Sequence, residues 1–274
     1  MKFAPKLALP SAITMAALFF VPLLIILAYS LLTRGPYGGV MTPWTFESYQ
    51  RVFDPLYGWI LWRSVWIAAL STALCLLLAF PLALFIARSG SRKTFLLNLV
   101  MLPFWTSFLI RTYAWMFLLR DTGLVNTVLQ AVHVIREPLP LLFNNGAVIL
   151  GLVYGYLPFM VLPLYATLEK MDQSLLQAAA DLGATPWVAL WRVVIPLSKP
   201  GAIAGCLLVF IPCLGAYLTP DLMGGGKTVM LGNLVQNQFT TARDWPFGSA
   251  FSLLLMGIVL LITAALGKRG EDLL

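Results

Sequence analysis

Ser64-Val65-Trp66-Ile67-Ala68-Ala69-Leu70-Ser71-Thr72-Ala73-Leu74-Cys75-Leu76-Leu77-Leu78-Ala79-Phe80-Pro81-Leu82-Ala83-Leu84-Phe85-Ile86-Ala87 runs for 24 residues without a charge, bracketed by Arg63 and Arg88. A helix rises about 1.5 Å per residue, so about 20 apolar residues cross the hydrocarbon of a bilayer. A barrel strand would alternate polar and apolar positions, and this run does not. Backbone in lipid must satisfy its own hydrogen bonds, which leaves a transmembrane helix. Three more uncharged intervals of spanning length lie between Lys6 and Arg34, Lys199 and Asp221, and Asp244 and Lys268. Residues 94–119 are apolar except for Arg111, and 146–168 follow the turn-forming Asn144-Asn145-Gly146. The sequence therefore predicts an all-α membrane protein. Its six transmembrane helices fall near 8–33, 64–87, 95–119, 146–168, 200–221 and 246–267, in a single membrane domain over 1–274.

The composition of the 274 residues agrees: 60% are hydrophobic and 11% charged, too apolar for an ordinary soluble domain. An even number of spans puts both termini on one side. With that side in the cytoplasm, Lys2, Lys6, Arg88, Arg92, Lys93, Lys170, Arg192, Lys199, Lys268 and Arg269 lie inside, and Arg88, Arg92 and Lys93 crowd one short loop. The formal charge of +7 is then a matter of topology. No basic stripe with interleaved aromatics marks a nucleic-acid surface, and no nucleic acid is expected as a partner. The first run is longer than the apolar core of a signal peptide and has no small-residue cleavage site, so it reads as a retained span.

Between the fourth and fifth spans lies a long polar interruption, 169–199. Leu175, Ala178, Ala179 and Leu182 fall at i, i+3, i+4, i+7, and Trp187, Leu190, Trp191 and Val194 repeat the spacing. Gly183 suits the left-handed residue that ends the first helix, and Thr185-Pro186 supplies an N-cap with proline at the first helical position. Pro196 and Pro200 are expected to stop the second helix and begin the fifth span. The reading is helix, tight turn, helix on the cytoplasmic face. Such a unit fits a groove on another protein or packs on its own spans and the headgroups, and periodicity leaves both open.

Gln177-Ala178-Ala179-Ala180-Asp181-Leu182-Gly183, a nine-residue gap, and Val193-Val194-Ile195-Pro196 resemble the cytoplasmic coupling loop of ABC-importer permeases. That family's pattern is E-A-A-x3-G-x9-I-x-L-P. Leu102-Pro103-Phe104-Trp105-Thr106-Ser107-Phe108-Leu109-Ile110-Arg111-Thr112-Tyr113, Tyr156-Leu157-Pro158-Phe159-Met160 with Leu162-Pro163-Leu164-Tyr165, and Asp221-Leu222-Met223-Gly224-Gly225 through Arg243-Asp244-Trp245-Pro246-Phe247-Gly248 are similar to the permease subunits of spermidine/putrescine importers. The resemblance covers roughly 60–265. It implies a type I ABC-importer permease fold whose coupling helix-turn-helix uses Gln177, Ala178, Ala179, Asp181, Leu182, Gly183, Ala184 and Pro196.

The resemblance further implies a second homologous permease subunit, two cytoplasmic ABC ATPases, an extracytoplasmic substrate-binding protein and a bacterial inner membrane. The chain would bind no cofactor and not be an enzyme, with ATP and magnesium used on the ATPases. Two departures stand out. Gln177 replaces the motif's glutamate, which removes a charge from the contact, and Ala216 stands where some relatives carry a carboxylate.

Arg111 is the one ionisable residue placed within a span. Such groups face a bundle interior or a cavity, or snorkel to the headgroups, and a cation there points to a structural or gating role. Trp105, Tyr113 and Trp115 are expected on the same helix. Their faces attract ammonium groups, although the aromatic belt of a membrane interface is the alternative for Trp115. With Tyr217 and Arg111 they form the candidate substrate pathway.

Other motifs carry nothing. Gly224-Gly225-Gly226-Lys227-Thr228 ends like a Walker A loop, but Asp221 occupies the position of its first glycine. His133 has no ligand-spaced neighbours, so no metal is expected. Cys75, Cys206 and Cys213 fall within spans as small core residues. A secondary transporter, the competing class, would show inverted repeats and intramembrane carboxylates, and the sequence has neither.

Overall fold

A computed structural model describes the backbone of residues 4–271 and the side chains of 9–264. The terminal position of Lys2, and the side chains of Lys268 and Arg269, lie outside the described residues. In chain order come α1 (Ala4–Ser30), β1 (Leu32–Arg34), β2 (Val40–Trp44), α2 (Glu47–Val52), α3 (Pro55–Ala87), α4 (Lys93–Met101), α5 (Phe108–Leu119), α6 (Leu124–Ala131) and α7 (Asn145–Glu169). These are followed by α8 (Gln173–Asp181), α9 (Pro186–Ala189), α10 (Ile195–Leu214), α11 (Leu218–Gly224), α12 (Leu231–Thr240) and α13 (Trp245–Glu271).

Among the described residues five helices are long and apolar enough to cross a membrane: Leu9–Ser30, Pro55–Ala87, Asn145–Glu169, Pro186–Leu214 and Trp245–Ala264. Gly90–Trp105 and Phe108–Ala131 make a sixth if the pair, bent by 86°, counts as one span. The third helix, expected to be continuous over 95–119, is thus broken. A 3-10 turn, Leu102–Trp105, carries Pro103, and Thr106 and Ser107 are extended, with ψ of 148° and 136°. The small ribbon of β1 and β2 is the one departure from all-α structure among the described residues; it pairs Thr33 with Met41 and Arg34 with Val40.

Helix limits follow local chemistry more than hydropathy. α3 begins nine residues before Ser64 because Asp54 Oδ1 accepts the Leu56 N–H at 2.9 Å and Pro55 occupies the first position. α7 starts at Asn145 because Asn144 Oδ1 accepts the Ala147 N–H at 2.9 Å. Pro196 and Pro200 do not stop the second coupling helix as expected. Pro186–Leu214 runs through a π-helical segment, Leu190–Val194, straight into the fifth span. Widening the ladder ahead of Pro196 absorbs the missing N–H and the ring clash.

The chain divides into two compact units. The one that contains Arg51 and Asp244 is tied by their ion pair, Nη1 to Oδ2 at 2.9 Å, and by the Arg51 guanidinium 4.5 Å from the centre of the Phe247 ring. Burial is the largest influence on Arg51 and works against its charge, but the bond to Asp244, the Asp244 charge and Tyr57 together outweigh it and raise its pKa. The other unit carries every candidate site residue. Its centre is α10 against α7, with α11 lying on α7 and α5. Glycines allow that approach: a Cβ on Gly205 would stand 2.6 Å from Met160 Sδ, and one on Gly151 2.7 Å from Met223 Sδ. Cys75 and Cys213 are buried as free thiols and Cys206 is half-buried.

Candidate functional site

The corner between α8 and α9 is assembled from backbone rules. Asp172 caps α8, its Oδ1 accepting the Ser174 N–H at 2.9 Å, and that bond holds its carboxyl below the ordinary range. At the far end Gly183 adopts φ +79°. Its N–H donates to the Ala180 carbonyl at 2.8 Å, and the Ala184 N–H to the Ala179 carbonyl at 2.9 Å. This pair of bonds closes a Schellman turn, which needs a residue in the left-handed region. Thr185 Oγ1 then accepts the Val188 N–H at 3.4 Å, and Pro186 opens α9.

The turn projects the motif. Leu182 is 89% exposed, and Gln177, Ala178, Asp181, Gly183 and Pro196 are exposed too, whereas Ala179 and Ala184 are half-buried. Trp187 and Trp191 are exposed and meet edge-to-face, with ring centres 5.9 Å apart. Leu176 and Ala180 of α8, and Ala184 beyond its end, line a cavity of about 510 Å³ with Leu84 of α3 and Arg88 just past that helix; Leu176 and Ala184 are half-buried there. The small residues therefore serve two faces. Pro196 sits in the first turn of α10, past the π segment.

The pathway residues do not gather. Because the third span breaks, Trp105 does not share a helix with Tyr113 and Trp115; it ends the 3-10 turn, 84% exposed. Tyr113 lines a cavity of about 730 Å³ with Arg120, Asp121, Phe143 and Lys227. Arg111 and Trp115 line a void of about 10 Å³ against α7, where Trp115 meets Tyr154 edge-to-face. Tyr217 lines a third cavity, of about 270 Å³, with Phe108 and Tyr156. Trp105 lines none of these three.

Arg111 faces the bundle. Its guanidinium stands 5.5 Å from the Phe108 ring centre and 6.0 Å from that of Phe104, and Nε and Nη1 are buried without a hydrogen-bond partner. Among the described residues no three His, Cys, Asp or Glu side chains cluster as metal ligands.

Sequence reasoning missed a polar hub. Arg63 Nη2 donates to Asn145 Oδ1 at 2.8 Å, to the Lys227 carbonyl at 2.6 Å and to Thr228 Oγ1 at 3.2 Å, and Thr228 Oγ1 donates to Asn145 Oδ1 at 2.7 Å. The Gly-Lys-Thr segment is thus fastened to α3 and α7. It also missed Phe108, Tyr156 and Thr219 as neighbours of Tyr217, for which only the aromatic character of Phe108 and Tyr156 gave a signal.

Residues 79–269 match the family of binding-protein-dependent transport system inner membrane components. This chain belongs to that family. The inner membrane component is 44% identical over 247 residues to the spermidine/putrescine transport system permease protein PotB of Escherichia coli (strain K12), covering 89% of this chain and 90% of that one. It is 43% identical over 248 residues to the PotB of Haemophilus influenzae, covering 89% and 87%. Its fold is that of a chain in the crystal structure of a bacterial alginate ABC transporter in complex with alginate pentasaccharide-bound periplasmic protein (TM-score 0.80, 16% identity, 98% and 94% covered).

Proposed function

We propose that the chain forms half of the translocation pathway of an ATP-driven importer for a small amine, putrescine or spermidine, and that the corner between α8 and α9 receives the stroke of a separate ATPase. The observation that carries the coupling role is the exposed Schellman turn with Leu182 at its tip. An exposed leucine on a rigid corner gains by entering a groove on another protein. The two PotB relatives, matched over about nine-tenths of each chain, support the amine cargo.

In this mechanism a second, homologous permease completes the pathway and an extracytoplasmic binding protein delivers the amine. Two ATPases hydrolyse ATP with magnesium, and this chain binds neither. Both termini face the cytoplasm, on the side of the Arg88, Arg92 and Lys93 cluster. Approach of the ATPases moves the 174–196 segment, and the unbroken run from Pro186 to Leu214 passes that displacement into the membrane as one lever.

Uptake of labelled putrescine and spermidine, with and without the gene, tests this when ATP and the proton gradient are controlled separately. ATP-dependent uptake lost on deletion supports both class and cargo. Unchanged polyamine uptake moves the cargo to another small amino compound, and uptake that follows the gradient instead of ATP overturns the ATP-driven reading.

A further inference from the structure

The cavity of about 270 Å³ is lined by the rings of Phe108, Tyr156 and Tyr217, by Pro212 and Gly215 at the end of α10, and by Thr219. Two acceptors there are unused. Thr219 is 1% exposed, yet its Oγ1 has no hydrogen-bond partner. In the last turn of α10 the Ile211 carbonyl accepts the Gly215 N–H and the Cys213 carbonyl accepts the Ala216 N–H. Among the described residues this leaves the Pro212 carbonyl between them without a donor. An unpartnered buried hydroxyl is costly and needs a partner supplied from elsewhere, while Pro212 is exposed, so its carbonyl is open to an incoming donor. The same helix end carries the negative pole of the α10 dipole, and the aromatic faces attract a cation. A cavity with free acceptors, a negative helix end and π-faces, and no basic side chain in its lining, suits a donor-only cation.

The geometry points to a subsite for one primary ammonium group of the cargo, held by the Thr219 hydroxyl, the Pro212 carbonyl and the faces of Tyr156 and Tyr217. This rests on the amine reading of the cargo and deepens it. The subsite has no carboxylate, consistent with Ala216 at its edge, so it holds an ammonium by neutral acceptors alone. Such binding is weaker than an ion pair and fits a group in transit. Phe108 forms one wall, and the Arg111 guanidinium stands 5.5 Å from the centre of that ring. A fixed cation there repels a second ammonium, so a diamine enters with its other amino group directed away from Arg111.

The test uses the complete reconstituted transporter with saturating amine-loaded binding protein, and reads putrescine moved per ATP hydrolysed. Tyr156→Leu removes a π-face and Thr219→Val removes a hydroxyl at nearly constant volume. Each lowers the ratio about tenfold, the scale of one cation–π contact or one charge-assisted hydrogen bond. Tyr156→Phe keeps the ring and stays within about twofold of the parent. If Tyr156→Leu does not assemble with its partner subunits, Thr219→Val decides. Parent transport with an unchanged ratio in the variants overturns the subsite alone. A parent complex that moves neither putrescine nor spermidine overturns the cargo reading and the subsite with it.

Discussion

The Ala184 N–H donates to the Ala179 carbonyl at 2.9 Å, wrapping the end of α8 around Gly183, whose φ of +79° only glycine holds without strain. A Cβ at Gly183 meets nothing within 4 Å, so a substitution there acts through the backbone and the exposed tip and not through crowding within this chain. Gly183→Asp costs about 1–2 kcal/mol in the left-handed region and adds a charge at the tip. The expected outcome is normal membrane insertion with loss of ATP-driven uptake. Gly183→Asn, better tolerated in that conformation, retains more. Uptake at the parent rate in Gly183→Asp would sink the coupling role.

Asp244 is both cap and counter-ion. Its Oδ1 accepts the Phe247 N–H at 3.2 Å at the start of α13, while Oδ2 meets Arg51 at 2.9 Å, and its side chain is only 3% exposed. Asp244→Ala removes both roles. With Arg51 partly in solvent the loss is about 2 kcal/mol, cap and charged hydrogen bond together. Asp244→Asn keeps the cap and loses about half as much. Thermal unfolding in detergent should rank parent, Asn, Ala; equal midpoints for Asn and Ala would show that the cap contributes nothing.

How far the sequence reaches depends on how local the cause is. The corner was legible at Gly183 and Thr185-Pro186, because caps and left-handed residues are decided by their immediate neighbours. The broken third span was not. Pro81, Pro158 and Pro163 sit inside continuous helices, whereas Pro103 precedes the break at 106–107 and Pro212 lies two residues before α10 ends, ahead of the 215–217 interruption of the expected fifth span 200–221. Proline marks where a ladder is weakened, while tertiary packing decides whether it parts. The separation of Trp105 from Tyr113 follows from that break. The Arg63 hub was invisible for a different reason: its partners lie 82 to 165 residues away.

Arg63 fastens the Gly-Lys-Thr segment by donating to three acceptors from one nitrogen. Arg63→Ala leaves the buried Thr228 hydroxyl with Asn145 as its sole partner and frees the Lys227 carbonyl. The expected cost is about 1–3 kcal/mol. Loosening should show first as faster tryptic cleavage after Lys227, with Arg63→Lys intermediate because an ammonium lacks the planar fork. Cleavage at the parent rate in Arg63→Ala would mean that the segment is held by other contacts.

Arg111 separates a structural cation from a functional one. Nε and Nη1 are buried with no acceptor, which costs about 1–3 kcal/mol, while stacking on Phe104 and Phe108 returns about 0.5–2 kcal/mol each. These contributions nearly cancel, so Arg111→Leu should leave the stability of the isolated chain within about 1 kcal/mol of the parent. The same substitution in the assembled transporter reads whether a partner supplies an acceptor. Destabilisation confined to the assembly identifies an acceptor on another subunit, because breaking a buried charge pair from one side costs about 3–5 kcal/mol. If the assembly keeps its stability while uptake changes, the guanidinium acts on the moving cargo, as expected for a cation standing behind the Phe108 wall.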